Sequence, residues 1–169
     1  MKHVLSALVR NKAGVLAHVA GLFSARGFNI DSLSVGETES PELSRMTIVA
    51  RGNDAVLEQI RKQLEKLVDV IKVLDLQSGD VVSRTLALVK VKTPAGSRSE
   101  IFDLVEAFGG KVVDITPRDL MIELVGPEKK ITAFLTVLMP FGISEIARTG
   151  SVALGRTIDY DPAGPVGKA

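Results

Sequence analysis

The residues best suited to chemistry near the N-terminus are Asn11-Lys12-Ala13-Gly14-Val15-Leu16, followed after an apolar stretch by Gly27-Phe28-Asn29-Ile30-Asp31. A turn that feeds directly into a helix leaves the first helical amides without partners, and the positive end of the helix dipole favours an anion there. Gly14 has no side chain, so a carboxylate can approach the backbone of Gly14, Val15 and Leu16. Asn11 can donate and accept beside it, and Asn29 can do the same from the start of the next strand. Asn and Gly are also what an ordinary strand-turn-helix-turn-strand uses. On residue chemistry alone, both readings stay open.

Other patterns carry less. Gly150-Ser-Val-Ala-Leu-Gly155-Arg156-Thr157 has the spacing of a phosphate-binding loop with Arg in place of Lys. That loop must open a helix whose amides face phosphate, and the Pro/Gly-rich sequence after it cannot supply one. His3 falls on a strand and His18 on the polar side of a helix, and neither has the neighbouring ligands a metal needs. Glu37, Glu39 and Glu42 read as a solvated hairpin, and Lys62, Lys66, Lys129 and Lys130 as exposed helix decoration. The sequence contains no Cys, which excludes thiolate metal sites, disulfides and cysteine nucleophiles and fits a reducing, cytoplasmic setting.

The elements that position these residues repeat. His3–Arg10 reads as a strand, and Val15, Leu16, Val19, Leu22 and Phe23 recur at helical spacing. Residues 28–35 return to strand character with a shift of apolar phase that predicts a bulge near Asp31-Ser32. In 44–51, Met46, Ile48 and Ala50 face one way and Arg45, Thr47 and Arg51 the other. Asn53 or Asp54 caps a helix with the stripe Val56, Leu57, Ile60, Leu64, Leu67 and Val68. A strand over 70–77 completes β-α-β-β-α-β, the split βαβ order of a ferredoxin-like fold.

The same order begins again with a strand over 85–92. A capping box at Ser97-x-x-Glu100 opens a helix carrying Ile101, Leu104, Val105 and Phe108. A hairpin turns at Pro117-Arg118-Asp119. A second helix starts with Pro127 in its first position and carries Ile131, Phe134, Leu135 and Leu138, and a strand follows over 143–148. The fold class is therefore α+β, two ferredoxin-like βαββαβ domains in tandem. The boundaries are 1–77, a linker at 78–84, 85–158, and a flexible tail at 159–169.

Composition narrows the partners. Twenty-one basic against twenty acidic residues give a net charge of +1, so no global field attracts nucleic acid or anionic lipid. Six Phe, one Tyr and no Trp leave little to stack on bases. No run approaches the ~20 apolar residues of a membrane span, and no signal-peptide cleavage pattern follows the short N-terminal apolar run. Hydrophobic residues make up 46% of a chain divided into two small domains, so part of the apolar surface is expected against another chain.

The combination "LVRNKAGVLAHVAGLFSARGFNIDSLSVGETE…LSRMTIV" closely resembles the ACT domain of the regulatory (small) subunits of acetohydroxyacid synthase, also called acetolactate synthase. The second half, with "LALVKV", "GGKVVDITPRDLMIELVG" and "GISEIARTGSVALGR", resembles the same family, so the likeness spans about residues 1 to 158. The resemblance implies a chain that does no chemistry and holds no cofactor. It would bind and activate a catalytic subunit carrying thiamine diphosphate, Mg²⁺ and FAD, and confer feedback inhibition by valine in branched-chain amino-acid synthesis. It further implies a homodimer of side-by-side ACT domains. The effector site would comprise Asn11, Gly14, Val15 and Leu16 of one chain with Asn29 and Ile30 of the facing chain. The rival readings are a free-standing amino-acid sensor and a small enzyme on a ferredoxin-like scaffold.

Overall fold

The computed structural model describes residues 2–76 and 81–156. The expected tail at 159–169 lies outside the described residues. The chain divides into two compact units, the second of which is Ser83–Val152.

In the first unit, β1 (Lys2–Arg10), α1 (Val15–Ala25), β2 (Ile30–Glu37), β3 (Leu43–Arg51), α2 (Asp54–Leu64) and β4 (Val70–Asp75) follow in order. The antiparallel sheet runs β2-β3-β1-β4, with β2 and β4 outermost. Alternation along β1 and β3 sends Leu5, Ala7 and Val9, with Met46, Ile48 and Ala50, to one face. Val15, Val19, Leu22 and Phe23 of α1, with Leu57, Ile60 and Leu64 of α2, close the core over that face. The i, i+3, i+4 spacing of those helical residues is what makes one stripe of each helix face the sheet.

The expected bulge is present as a register shift between Ile30 and Ser32 against β3. The other face of the sheet is more buried than strict alternation suggests. Ser6 and Thr47, opposite each other at the sheet centre, are both buried, and the Arg45 guanidinium donates to Ser6 Oγ at 3.1 Å.

Helix α2 is capped by Asn53, whose Oδ1 accepts from the Val56 amide at 2.9 Å. Asn53→Ala should lower stability by about 1 kcal/mol, because one amide of the first turn loses its partner; urea unfolding checks this. Val68 is not part of the buried stripe and is 89% exposed. The helix ends at Leu64 and the chain leaves it through turn bonds from Lys66 N–H to Gln63 O and from Leu67 N–H to Leu64 O.

The second sheet contains β5 (Val81–Lys92), β6 (Lys111–Ile115), β7 (Asp119–Gly126) and β8 (Ile143–Arg148) in the order β6-β7-β5-β8, and the short β9 (Val152–Gly155) pairs with β5. Residues 81–84, expected in a linker, are strand. The rest of the expected linker, residues 78–80, lies outside the described residues. Helices α3 (Arg98–Ala107) and α4 (Glu128–Leu138) contribute Ile101, Val105, Ile131, Phe134 and Leu138 to a core against Ala87, Val89, Val91, Leu120, Ile122 and Leu124. The capping box does not form: Ser97 has helical backbone angles, φ −86° and ψ −8°, rather than the extended ones of a cap, and its Oγ donates to Pro94 O at 2.7 Å. Pro127 occupies the cap itself rather than the first helical position, with φ −60° and an extended ψ. The architecture is two tandem βαββαβ units.

Candidate functional site

The turn between β1 and α1 is pinned at both ends. The Arg10 N–H donates to Asp69 O at 2.8 Å and the Asn11 N–H to Glu42 O at 2.7 Å. The Asn11 side chain reaches back to the β2–β3 hairpin, where Nδ2 donates to Glu37 Oε1 at 3.0 Å and to Pro41 O at 2.9 Å. Both of its amide hydrogens are thereby used, and Oδ1 is left as an acceptor. Glu37, read from sequence as hairpin decoration, is a neighbour of this site. Nothing local signalled it, because the two residues are 26 apart and meet only once the hairpin has folded.

Gly14 stands at the N-cap of α1 with φ +88°, a left-handed conformation that favours glycine. Its carbonyl accepts from His18 N–H at 2.9 Å, and the Val15 N–H reaches Lys12 O at 3.4 Å. The amides of Leu16 and Ala17 have no hydrogen-bond partner among the described residues, no side chain caps the helix, and its first turn holds no acid. The Leu16 and Ala17 amides are open to an anion, and the Val15 amide makes only the long 3.4 Å contact to Lys12 O. Val15 is buried in the core, whereas the Leu16 side chain is half exposed.

Asn29 is exposed, and its Nδ2 donates to Asp31 Oδ1 at 3.3 Å; Asp31 in turn pairs with Arg51 at 2.6 Å. Ile30 is half-buried and lies opposite Ala50. These two groups of residues are not brought together within one chain. Asn11 contacts Glu37 at the last position of β2, and Asn29 immediately precedes its first position. At about 3.3 Å per residue, the ends of this eight-residue strand stand about 20 Å apart. A single amino acid cannot span that.

The other motifs have structural explanations. His3 is buried, with Nε2 2.9 Å from Gly52 O, which requires the hydrogen on Nε2. No group of three or more His, Cys, Asp or Glu that could hold a metal occurs among the described residues. Residues 152–155 of the glycine-flanked motif are β9 rather than a loop opening a helix. The Glu58 carboxyl is lowered to about 2 by its hydrogen bond to Arg61 and by Lys62, and the Lys90 ammonium is raised by Glu145. These are solvated ion pairs, not the desolvated pairings by which enzymes tune an acid or base.

Residues 5–72 match the family described as AHAS small subunit-like ACT domain, and 84–157 match the small subunit of acetolactate synthase. A probable acetolactate synthase small subunit of Methanothermobacter thermautotrophicus is 55% identical over 155 residues, 91% of this chain and 92% of that protein. The chain belongs to the acetolactate synthase small-subunit family. The Mycobacterium bovis acetolactate synthase small subunit is 53% identical over 154 residues, with 91% of this chain and 92% of that protein covered. The crystal structure of the Thermotoga maritima small subunit matches with a TM-score of 0.85 and 46% identity, over 92% of this chain and 98% of that one. The small-subunit family is regulatory and non-catalytic, so the reading as a small ferredoxin-like enzyme is set aside. The family assignment accounts for both halves of the chain, including the N-terminal ACT unit that carries the Asn11–Leu16 turn.

Proposed function

We propose that the chain is a regulatory subunit that activates the thiamine-diphosphate-dependent catalytic subunit of acetolactate synthase and makes it sensitive to valine, bound between the ACT units of a homodimer. The observation that carries this reading is the placement of Asn11 and Asn29 at opposite ends of an outermost strand. If two copies pair β2 against β2 about a two-fold axis, the strands run antiparallel. The Asn29-Ile30 end of one copy then lies beside the Asn11–Glu37 end of the other, which makes two equivalent shared sites.

In each site the valine carboxylate meets the Leu16 and Ala17 amides at the start of α1, where Gly14 keeps the approach clear. The ammonium meets Asn11 Oδ1 and the Glu37 carboxylate, with the partner chain's Asn29 closing the polar end. The free amides and the left-handed glycine support this arrangement. Valine regulates only if it binds one arrangement of the complex better than another, since equal affinity shifts no equilibrium.

Thiamine diphosphate, Mg²⁺ and FAD belong on the catalytic subunit in this reading, and the assembly is cytoplasmic. Among the described residues, no helix is long and apolar enough to cross a membrane.

The test is reconstitution. The purified chain should form no acetolactate and bind neither thiamine diphosphate nor FAD. It should co-purify with the catalytic subunit, raise its rate and confer inhibition by valine. Acetolactate formation by the rigorously purified chain would overturn the reading, as would failure to bind the catalytic subunit. Binding of valine without binding of that subunit would favour a free-standing amino-acid sensor.

A further inference from the structure

The first sheet has a second outer strand, β4, whose surface differs in character from β2. Val68 in the connection leading into it is 89% exposed, and Ile71 and Leu74 are 52% and 39% exposed. Scattered apolar side chains on a surface need no explanation. Val68 is itself part of the wall of a cavity of about 260 Å³ that also includes Val15, His18, Lys66, Asp69 and Val70. Ile71 follows it on the strand, whereas Leu74 stands further along on the face opposite Val73.

Among the described residues the backbone of β4 is also open on its outer side. Leu76 N–H donates to Val4 O at 2.9 Å, which by antiparallel alternation makes Ser6/Leu74 a hydrogen-bonded pair. Val73 N–H and C=O therefore point away from β1, toward the side where no strand pairs among the described residues. Such an edge can accept an extended segment from another protein.

Charge decides what can dock. Arg10, Lys66 and Lys72 flank the edge, where Asp69 and Asp75 are the facing acids, so cations outnumber carboxylates by one among the described residues. Asp69 is the one carboxylate in the cavity wall among the described residues. A second copy would present the same excess of cations, which opposes pairing β4 against β4. A different protein presenting an apolar side chain between carboxylates would gain both burial and charge complementarity.

We propose that the β4 edge and its cavity are the docking surface for the catalytic subunit, which supplies an extended segment with an apolar anchor flanked by acidic residues; this rests on the regulatory reading above. The location also couples the two functions. Val15 is the first residue of α1, directly after Gly14, and is at the same time a wall of the cavity. Valine seated on the amides of Leu16 and Ala17 changes the position of α1 that the catalytic subunit meets, and by linkage each partner alters the affinity of the other by one factor.

The full chain carrying Val68→Glu tests this against the wild-type catalytic subunit by calorimetry or biolayer interferometry. Val68 is exposed, so the fold should tolerate the change. The expected result is association weaker by about tenfold or more, with the melting temperature, the sedimentation mass of the free chain and its valine binding all unchanged. The double variant Lys66→Glu/Lys72→Glu should also bind weakly, and its association should depend less on salt than that of the wild type. Wild-type association by both variants overturns the docking surface while leaving the regulatory reading intact. A change in the mass of the free chain would assign the edge to a second copy and overturns it too. If the wild-type chain itself fails to bind the catalytic subunit, the regulatory reading falls and the docking surface with it.

Discussion

Gly14→Asp should remove most valine inhibition while leaving activation of the catalytic subunit in place. A Cβ at Gly14 meets no atom within 4 Å, so the new side chain has room and the core is not disturbed. The backbone there is left-handed at φ +88°, a region that Asp and Asn enter more readily than other residues. The substitution carries backbone strain at this φ, which Asp and Asn share, while the carboxylate stands where the ligand's carboxylate belongs. The ligand loses charge-assisted hydrogen bonds worth roughly 1.5–3 kcal/mol, or about 10- to 150-fold in affinity, and repulsion adds to that. Gly14→Asn is the control, because it has the same shape and the same backbone requirement without the charge. Inhibition curves on the reconstituted complex should place Asn between wild type and Asp. A Gly14→Asp complex inhibited at the wild-type valine concentration would remove the start of α1 from the effector site.

How much of this was legible in the sequence depended on whether the deciding interaction was local. The phase change between Ile30 and Leu33 is a local signal, and the register shift between Ile30 and Ser32 is its direct consequence. Asn53 as a cap is likewise contained within four residues. Val68 shows the opposite. Its spacing continues the apolar stripe of α2, yet the chain has already turned away at Leu64, so periodicity carried on past the end of the element that justified it. Ser97 has a hydroxyl that a cap would use, yet its backbone is helical rather than extended and no cap bond forms.

The candidate site divides in the same way. Gly14 with a left-handed φ and helix-start amides lacking partners is what a turn-to-helix sequence predicts. The engagement of Asn11 Nδ2 by Glu37 and Pro41 needs the hairpin closed, and the separation of Asn11 from Asn29 needs the strand order β2-β3-β1-β4. Neither is written in any short stretch of residues. The structure therefore narrows the chemistry of Asn11 to an acceptor, which suits the ammonium of an amino acid rather than its carboxylate. It also excludes a site made of both asparagines from one chain.

That exclusion leads to the sharpest expectation, because it concerns which chains supply the two asparagines. Asn11→Ala and Asn29→Ala should each weaken valine binding by roughly 1–3 kcal/mol, about 5- to 150-fold, since a polar group of the bound ligand then lacks its partner. A homodimer of either variant has two damaged sites. In a heterodimer of the two variants the outcome depends on geometry alone. If each site takes Asn11 from one chain and Asn29 from the other, one site collects both defects and the other keeps both intact asparagines. Half of the tight sites then return. If each site is built within one chain, every site in the heterodimer keeps one defect and none recovers. Calorimetric titration of a heterodimer isolated with two different affinity tags separates these cases. The strand geometry, with about 20 Å between the ends of β2, is compatible with the first and not with the second. A heterodimer with no recovered tight site would show that Asn29 and Asn11 do not share a ligand across the β2 edge, and the two-fold pairing of β2 would lose its functional support.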